Sequence, residues 1–181
     1  MQLIDTTLEG PLLVELTVHG DQRGFFVESF RANVLAQLGI TEDFVQDNHS
    51  RSALGVVRGM HFAVGEGQAK LVRCARGSIV DVLVDIRRGS PDFGRWEAYE
   101  LDDSSLRLLY APIGFAHGFC VTSEVADVAY KLSSYYDPAV ERGFAYDDPE
   151  VGIEWPELEL QVSERDAGAP KLSQIASELP S

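Results

Sequence analysis

The chain has 181 residues, 45% of them apolar and 24% charged, a size and balance that suit one globular domain with a proper core. Its 15 Lys and Arg against 29 Asp and Glu leave a formal charge of −14, which argues against a nucleic-acid partner, because a phosphate backbone needs a basic stripe. No apolar run reaches the ~18 residues that span a bilayer, and Met1-Gln2-Leu3-Ile4-Asp5 has neither the basic start nor the apolar core of a signal peptide, so a cytoplasmic location is expected.

In chain order the pattern predicts short strands at 12–18, 25–30, 44–50, 56–62 and 69–76, then at 78–86, 96–101, 107–111, 117–121 and 127–133. Turn signals separate them at Gly20-Asp21, Gly65-Glu66-Gly67, Arg76-Gly77, Gly89-Ser90-Pro91, Asp102-Asp103 and Pro112-Ile113-Gly114. Regular short strands of this kind indicate a sandwich or barrel. Helical signal is confined to 31–38, stopped by Gly39, and to 171–179. With no repeat or linker, one β domain over residues 1–181 is expected.

The strand at 78–86 carries more than fold information. Val80, Val82, Val84 and Ile86 share one face, which is expected to enter a core. Asp81 lies on the other face between Ile79 and Leu83, which favours the lumen of a barrel; Asp85, with Arg87 following on its face, is expected at a solvated edge.

Of four histidines, His19 precedes a turn and is expected to be exposed, whereas His49, His61 and His117 sit in dense polar or Gly-rich strand contexts. Pro112-Ile113-Gly114-Phe115-Ala116-His117 resembles the second motif of cupins, whose histidine often binds a metal. The first cupin motif usually supplies His-x-His, but the residue two after His61 is Ala63, and two histidines make a poor transition-metal site. No metal is therefore expected, which frees the histidines for acid–base work. Cys74 and Cys120 have no metal spacing and read as buried reduced thiols. Tyr130 shares strand parity with Val128 and Leu132, and two readings stand open: a core aromatic with a bonded hydroxyl, or a site acid. Arg58 and His61 have opposite parity on a regular strand, and two explanations stand open: a bulge at the intervening Gly59 that re-aims one side chain, or a place near a subunit boundary for one of them.

The ordered set of segments resembles the dTDP-4-dehydrorhamnose 3,5-epimerase family. It begins with Asp21-Gln22-Arg23-Gly24-Phe25-Phe26-Val27-Glu28, Phe44-Val45-Gln46-Asp47-Asn48-His49-Ser50, Gly55-Val56-Val57-Arg58-Gly59-Met60-His61-Phe62 and Gln68-Ala69-Lys70-Leu71-Val72-Arg73. It continues with Asp81-Val82-Leu83-Val84-Asp85-Ile86-Arg87, Ser90-Pro91-Asp92-Phe93-Gly94-Arg95-Trp96, Gly114-Phe115-Ala116-His117-Gly118-Phe119 and Tyr135-Tyr136-Asp137-Pro138. Ile153-Glu154-Trp155-Pro156 and Ser163-Glu164-Arg165-Asp166 complete it, so the resemblance covers nearly the whole chain.

What the resemblance implies is an all-β, cupin-type jelly roll (a double-stranded β-helix) with short peripheral helices. It also implies a homodimer that shares strands between subunits, a dTDP-4-keto-6-deoxyhexose substrate and no cofactor. By position, His61 is similar to the catalytic base, Asp166 to the carboxylate that orients it, Lys70 to the residue near the C4 oxygen and Tyr130 to the acid on the opposite face of the sugar. Arg23 and Arg58 resemble phosphate or sugar contacts, Gln46, Asn48 and Tyr136 nucleotide contacts, and Glu28 a contact near the base; Asp81 and His117 match polar positions within or beside the site.

These residue types suit the chemistry. Removing a proton beside a ketone creates an enolate, which needs a base, a charge stabiliser at oxygen and an acid on the other face. Histidine, lysine and tyrosine can fill those roles, and arginines can hold phosphate inside an acidic protein. The turn between Phe62 and Lys70 is short and Gly-rich, so contacts there depart from the family pattern. The alternatives that stay open are an epimerase of one carbon, a sugar-nucleotide ketoisomerase, a metal-dependent cupin and a non-catalytic sugar-binding cupin.

Overall fold

The computed structural model describes residues 1–180. Two six-stranded layers face each other. The first runs in the order β1 (Gln2–Ile4), β2 (Leu12–Glu15), β10 (Arg107–Ala111), β7 (Lys70–Arg76), β12 (Val125–Leu132) and β5 (Gln46–Ala53). The second runs β13 (Glu141–Gly143), β6 (Val56–Ala63), β11 (Phe115–Val121), β8 (Ser78–Asp85) and β9 (Trp96–Asp102), with β14 (Gln161–Val162) added parallel to β6. Strands β3 (Val18–Asp21) and β4 (Gly24–Val27) form a separate hairpin. The expected jelly roll with short helices is what forms.

Alternation explains how the layers close. Leu13, Val72, Leu109 and Val128 from the first sheet meet Ile79, Leu83, Leu101 and Phe119 from the second in the inter-sheet core. The outer face of the first sheet is capped by α1 (Ala32–Gln37), whose Leu35 packs with Ile40 on Val14, Leu71 and Leu108. The outer face of the second sheet is also buried: Val82, Val84 and Ile86 lie under Phe144, Trp155 and a 3₁₀ helix, Leu172–Glu178, that supplies Leu172 and Ile175. Both faces of β8 are thus buried, one toward the lumen and one toward this cover. The helix expected at 171–179 is therefore of the tighter 3₁₀ kind.

Three expectations need correction. Asp85 is not at a solvated edge; it is fully buried at the end of β8. Arg87 folds back on it with Nη2 at 2.6 Å, and Ser90 Oγ donates at 2.6 Å, so its charge is neutralised locally. Burial alone would raise this carboxyl, but those bonds outweigh it and hold Asp85 below the ordinary range. Second, Gly20-Asp21 is not a turn: both residues lie in β3, and the chain reverses at Gln22-Arg23, where the Asp21 carboxylate accepts from the Arg23 amide at 2.8 Å. Third, the strand expected over 12–18 ends at Glu15, because the chain leaves the sheet there to enter the hairpin.

The bulge at Gly59 is present. His117 pairs with His61 and Phe119 with Arg58, so two steps along β11 match three along β6. Gly59 sits at φ +143, and a Cβ there would fall 2.5 Å from Gly118 Cα. The extra residue turns Arg58 and His61 toward the same space.

Candidate active site

That space is a cavity of about 520 Å³ at one end of the lumen, a size suited to a small-molecule ligand. Its walls come from both sheets. Arg58, His61, His117 and Phe119 project from β6 and β11, and Asn48, Lys70, Tyr130 and Leu132 from β5, β7 and β12. Tyr136, Glu141, Arg165 and Asp166 complete the rim.

His61 is held by one strong partner. Ser163 caps the short helix α2 (Glu164–Ala167), accepting from the Asp166 amide at 3.1 Å, and β14 beside β6 brings this helix over the sheet. The buried Asp166 carboxylate then reaches His61 Nε2 at 2.7 Å, while its other oxygen faces the Gly59 amide at 3.4 Å. Burial works against the carboxylate, but the histidine bond and charge, with the Gly59 and Ser163 bonds, outweigh it and hold Asp166 below the usual range. A carboxylate in this position fixes the ring and stabilises its protonated form.

A second His–Asp pair lies deeper. His117 Nε2 is 2.9 Å from Asp81 Oδ2, and both side chains are buried. Asp81 points into the lumen, as its apolar neighbours Ile79 and Leu83 on that face favoured. Among the described residues the buried Lys70 makes a single hydrogen bond, from Nζ to the His61 carbonyl at 3.3 Å. Burial lowers the lysine to about 8, against the raising effects of Glu141 and Asp81.

That lowered value has a stability consequence. Below about 8 the ammonium is charged in both folded and unfolded chains and its full burial cost is present; between there and the ordinary value of 10.5 the unfolded chain binds the extra proton, so stability rises with pH. Lys70→Met removes a cost of about 3 kcal/mol at pH 7. The variant should melt several degrees above the parent at pH 7, with the gap closing as pH approaches 10. Thermal melts at both pH values check this.

Tyr130 is half-buried, its ring against the inter-sheet core, and among the described residues its hydroxyl makes no hydrogen bond. The ring thus packs as a core aromatic does, but without the bonded hydroxyl of that reading. Its wall is the first sheet, opposite His61 on the second. Asn48 pairs with Tyr130 across β5 and β12, and Gln46 Nε2 donates to Asn48 Oδ1 at 3.0 Å. Gln46 does not itself line the cavity; its Oε1 accepts from the Tyr136 amide at 2.8 Å and so holds Tyr136 at the rim. Arg58 lines the cavity with Nε bonded to Ser52 Oγ at 3.0 Å.

Arg23 and Glu28 are not brought to this cavity within the chain. Arg23 stands in the hairpin turn with its side chain 90% exposed, paired with Asp21, and Glu28 pairs with Arg31 at 3.2 Å beside a separate hollow. Sequence reasoning missed Glu141 and Arg165, whose side chains pair at 2.9 Å across the rim. Arg165 is within reach of sequence reasoning, as the neighbour of Asp166 in the Ser163–Asp166 segment; Glu141 carries no signal, since its place depends on β13 pairing with β6. Among the described residues no group of three or more His, Cys, Asp or Glu side chains converges as a metal site, and no helix is long and apolar enough to cross a membrane.

The geometry combines a carboxylate-held histidine, a buried lysine and an unbonded tyrosine hydroxyl around one cavity, an arrangement fit for moving protons at carbon. Comparison with known proteins points the same way. The family model for dTDP-4-dehydrorhamnose 3,5-epimerase matches residues 5–174. A dTDP-4-dehydrorhamnose 3,5-epimerase of Salmonella typhimurium is 47% identical over 96% of this chain and 97% of its own length. A dTDP-4-dehydrorhamnose 3-epimerase of Streptomyces niveus is 42% identical over 96% of this chain and 85% of its own length. Among solved structures, dTDP-6-deoxy-D-glucose-3,5-epimerase of Legionella pneumophila, in complex with dTDP-4-keto-L-rhamnose, superposes with a TM-score of 0.96 at 46% identity over 99% of this chain and 97% of that one. On the extent of both matches, this chain is an enzyme of the dTDP-4-dehydrorhamnose 3,5-epimerase family.

Proposed function

We propose that this chain, acting as one catalytic domain of a cytoplasmic homodimer, inverts C3 and C5 of a dTDP-4-keto-6-deoxyhexose. The observation that carries the proposal is the His61–Asp166 pair at 2.7 Å on one wall of the cavity, with the Tyr130 hydroxyl presented from the opposite wall. His61 takes the proton beside the ketone, and Asp166 supports the imidazolium that results. The Lys70 ammonium stabilises the charge that gathers on the C4 oxygen in the transition state. Tyr130 delivers a proton to the other face, and the two groups return to their starting forms by exchange with water.

Arg58 and Arg165 supply guanidinium groups for the diphosphate, which answers how an acidic protein holds an anionic substrate. Asn48 and Tyr136 meet the nucleotide at the rim. A homodimer accounts for Arg23 and Glu28. The hairpin that carries Arg23 also exposes Phe25 and Phe26 at 60% and 64%, an apolar pair suited to a protein surface rather than to water. In a dimer that shares strands it would reach the cavity of a second copy.

Product analysis tests the reading. With dTDP-4-keto-6-deoxy-D-glucose as substrate, the expected product is the L-configured 4-keto sugar, inverted at both carbons. Inversion at one carbon would make the enzyme a single-site epimerase like the Streptomyces niveus relative's name. Migration of the keto group without inversion would favour a ketoisomerase.

A further inference from the structure

Every polar group in the cavity has a role in that mechanism except the deepest one, Asp81. It is fully buried, it does not line the cavity, and while one carboxyl oxygen is bonded to His117 at 2.9 Å, the other has no hydrogen-bond partner. A buried carboxyl oxygen left without a partner is costly and calls for an explanation.

Strand parity says what that oxygen can meet. Asp81 on β8 and Lys70 on β7 both point into the lumen, with Ile79 and Leu83 on one strand and Val72 and Cys74 on the other as their inward neighbours in the same core. Lys70 has three N–H donors and uses one, toward the His61 carbonyl at 3.3 Å. We propose that Asp81 is a positioning residue of the reaction: one oxygen fixes the ring of His117 at the cavity wall, and the other is the buried counter-charge that keeps Lys70 an ammonium facing the substrate. The inference rests on the epimerase reading above for what Lys70 does, but not for its charge.

The electrostatics agree with the geometry. Burial pulls Lys70 down toward its neutral form, and Glu141 and Asp81 are the two groups that oppose it. Burial pushes Asp81 up, and the two groups that hold it down are His117 and Lys70. The other titratable groups presented to Lys70 are His61 from β6, Tyr130 from β12 and Asp166 from α2, with Arg58 and Arg165 as the remaining cations at the cavity. Glu141 stands at the rim and is tied to Arg165 at 2.9 Å, so part of its charge is already matched. Asp81, with no cation bonded to its second oxygen, is the carboxylate that is free to serve Lys70. With Nε2 of His117 committed to Asp81, Nδ1 is the ring nitrogen left for a ligand.

Asp81→Asn keeps the shape and the bond to His117 but removes the negative charge. Two readouts are taken together: the pH dependence of deuterium exchange at the substrate carbons, and the titration of Lys70 followed by ¹⁵N NMR of its side-chain nitrogen. The chain has three lysines, Lys70, Lys131 and Lys171, so Lys131→Arg and Lys171→Arg assign the signals. The proposal expects the alkaline limb of the rate and the Lys70 titration to move together to lower pH by about one unit, with the acidic limb unmoved.

A rate lowered by the same factor at every pH, with the Lys70 titration in place, would assign Asp81 a purely structural role and overturn the proposal. Absence of exchange in the parent protein would sink the epimerase reading alone, because the NMR titration still reports whether Asp81 sets the lysine's charge. Should Asp81→Asn fail to fold, the parent decides: its Lys70 must be an ammonium at pH 7, and the Asp81 carboxyl carbon must respond as Lys70 titrates. A neutral Lys70 amine at pH 7 overturns the proposal.

Discussion

Replacing His61 by asparagine is expected to lower turnover by about 10³-fold, within the range typical of a positioned base, while binding of dTDP changes only a few-fold. Asparagine can still donate to Asp166, so the α2 helix, held independently by its Ser163 cap, stays in place and the fold is kept. What is lost is the imidazole that Asp166 holds through Nε2 at 2.7 Å, which leaves Nδ1 as the nitrogen that takes the substrate proton. Asp166→Asn should cost less, about 10²-fold, since the base remains but its tautomer and charge are no longer supported. Initial rates with dTDP titrations on both variants check the pair. A His61→Asn enzyme that retained a tenth of the parent rate would remove His61 from the mechanism.

Tyr130→Phe should separate two processes that occur together in the parent. The phenyl ring keeps its packing against the inter-sheet core, and among the described residues the hydroxyl has no partner to leave stranded, so stability is expected to stay within about 1 kcal/mol of the parent. His61 can still remove a proton and return one to the same face. Deuterium from solvent should therefore continue to enter the substrate, while net inversion falls by at least about 10²-fold, the contribution of a positioned acid. Equal loss of exchange and inversion would mean that Tyr130 is not the opposite-face acid.

Much of this was legible in the sequence because the features are local. Ile79 and Leu83 beside Asp81 on its face of 78–86 pointed to the lumen, and the mismatch between Arg58 and His61 made a bulge at Gly59 one of two explanations, the one that forms. What failed was whatever depends on a distant partner. Asp85 reads as exposed until Arg87 and Ser90 close over it, and the sequence does not say that the segments covering the Val82 and Val84 face of β8 come from Phe144 onward. Strands β13 and β14 are three and two residues long, too short to show a period, and exist because β6 has room on one edge for both. The Glu141–Arg165 pair joins residues 24 apart, which no spacing rule connects. Asp166 was reached by resemblance; its physical reason, a serine-capped turn that aims it at His61, is visible only in three dimensions.

The central claim is that the cavity moves protons at carbons beside a ketone. Proton NMR of the enzyme with dTDP-4-keto-6-deoxy-D-glucose in D₂O tests it most directly. The account predicts deuterium at both C3 and C5, appearing at rates that His61→Asn suppresses. A substrate that epimerises without taking up solvent deuterium, or that takes up none and does not react at all, would contradict it.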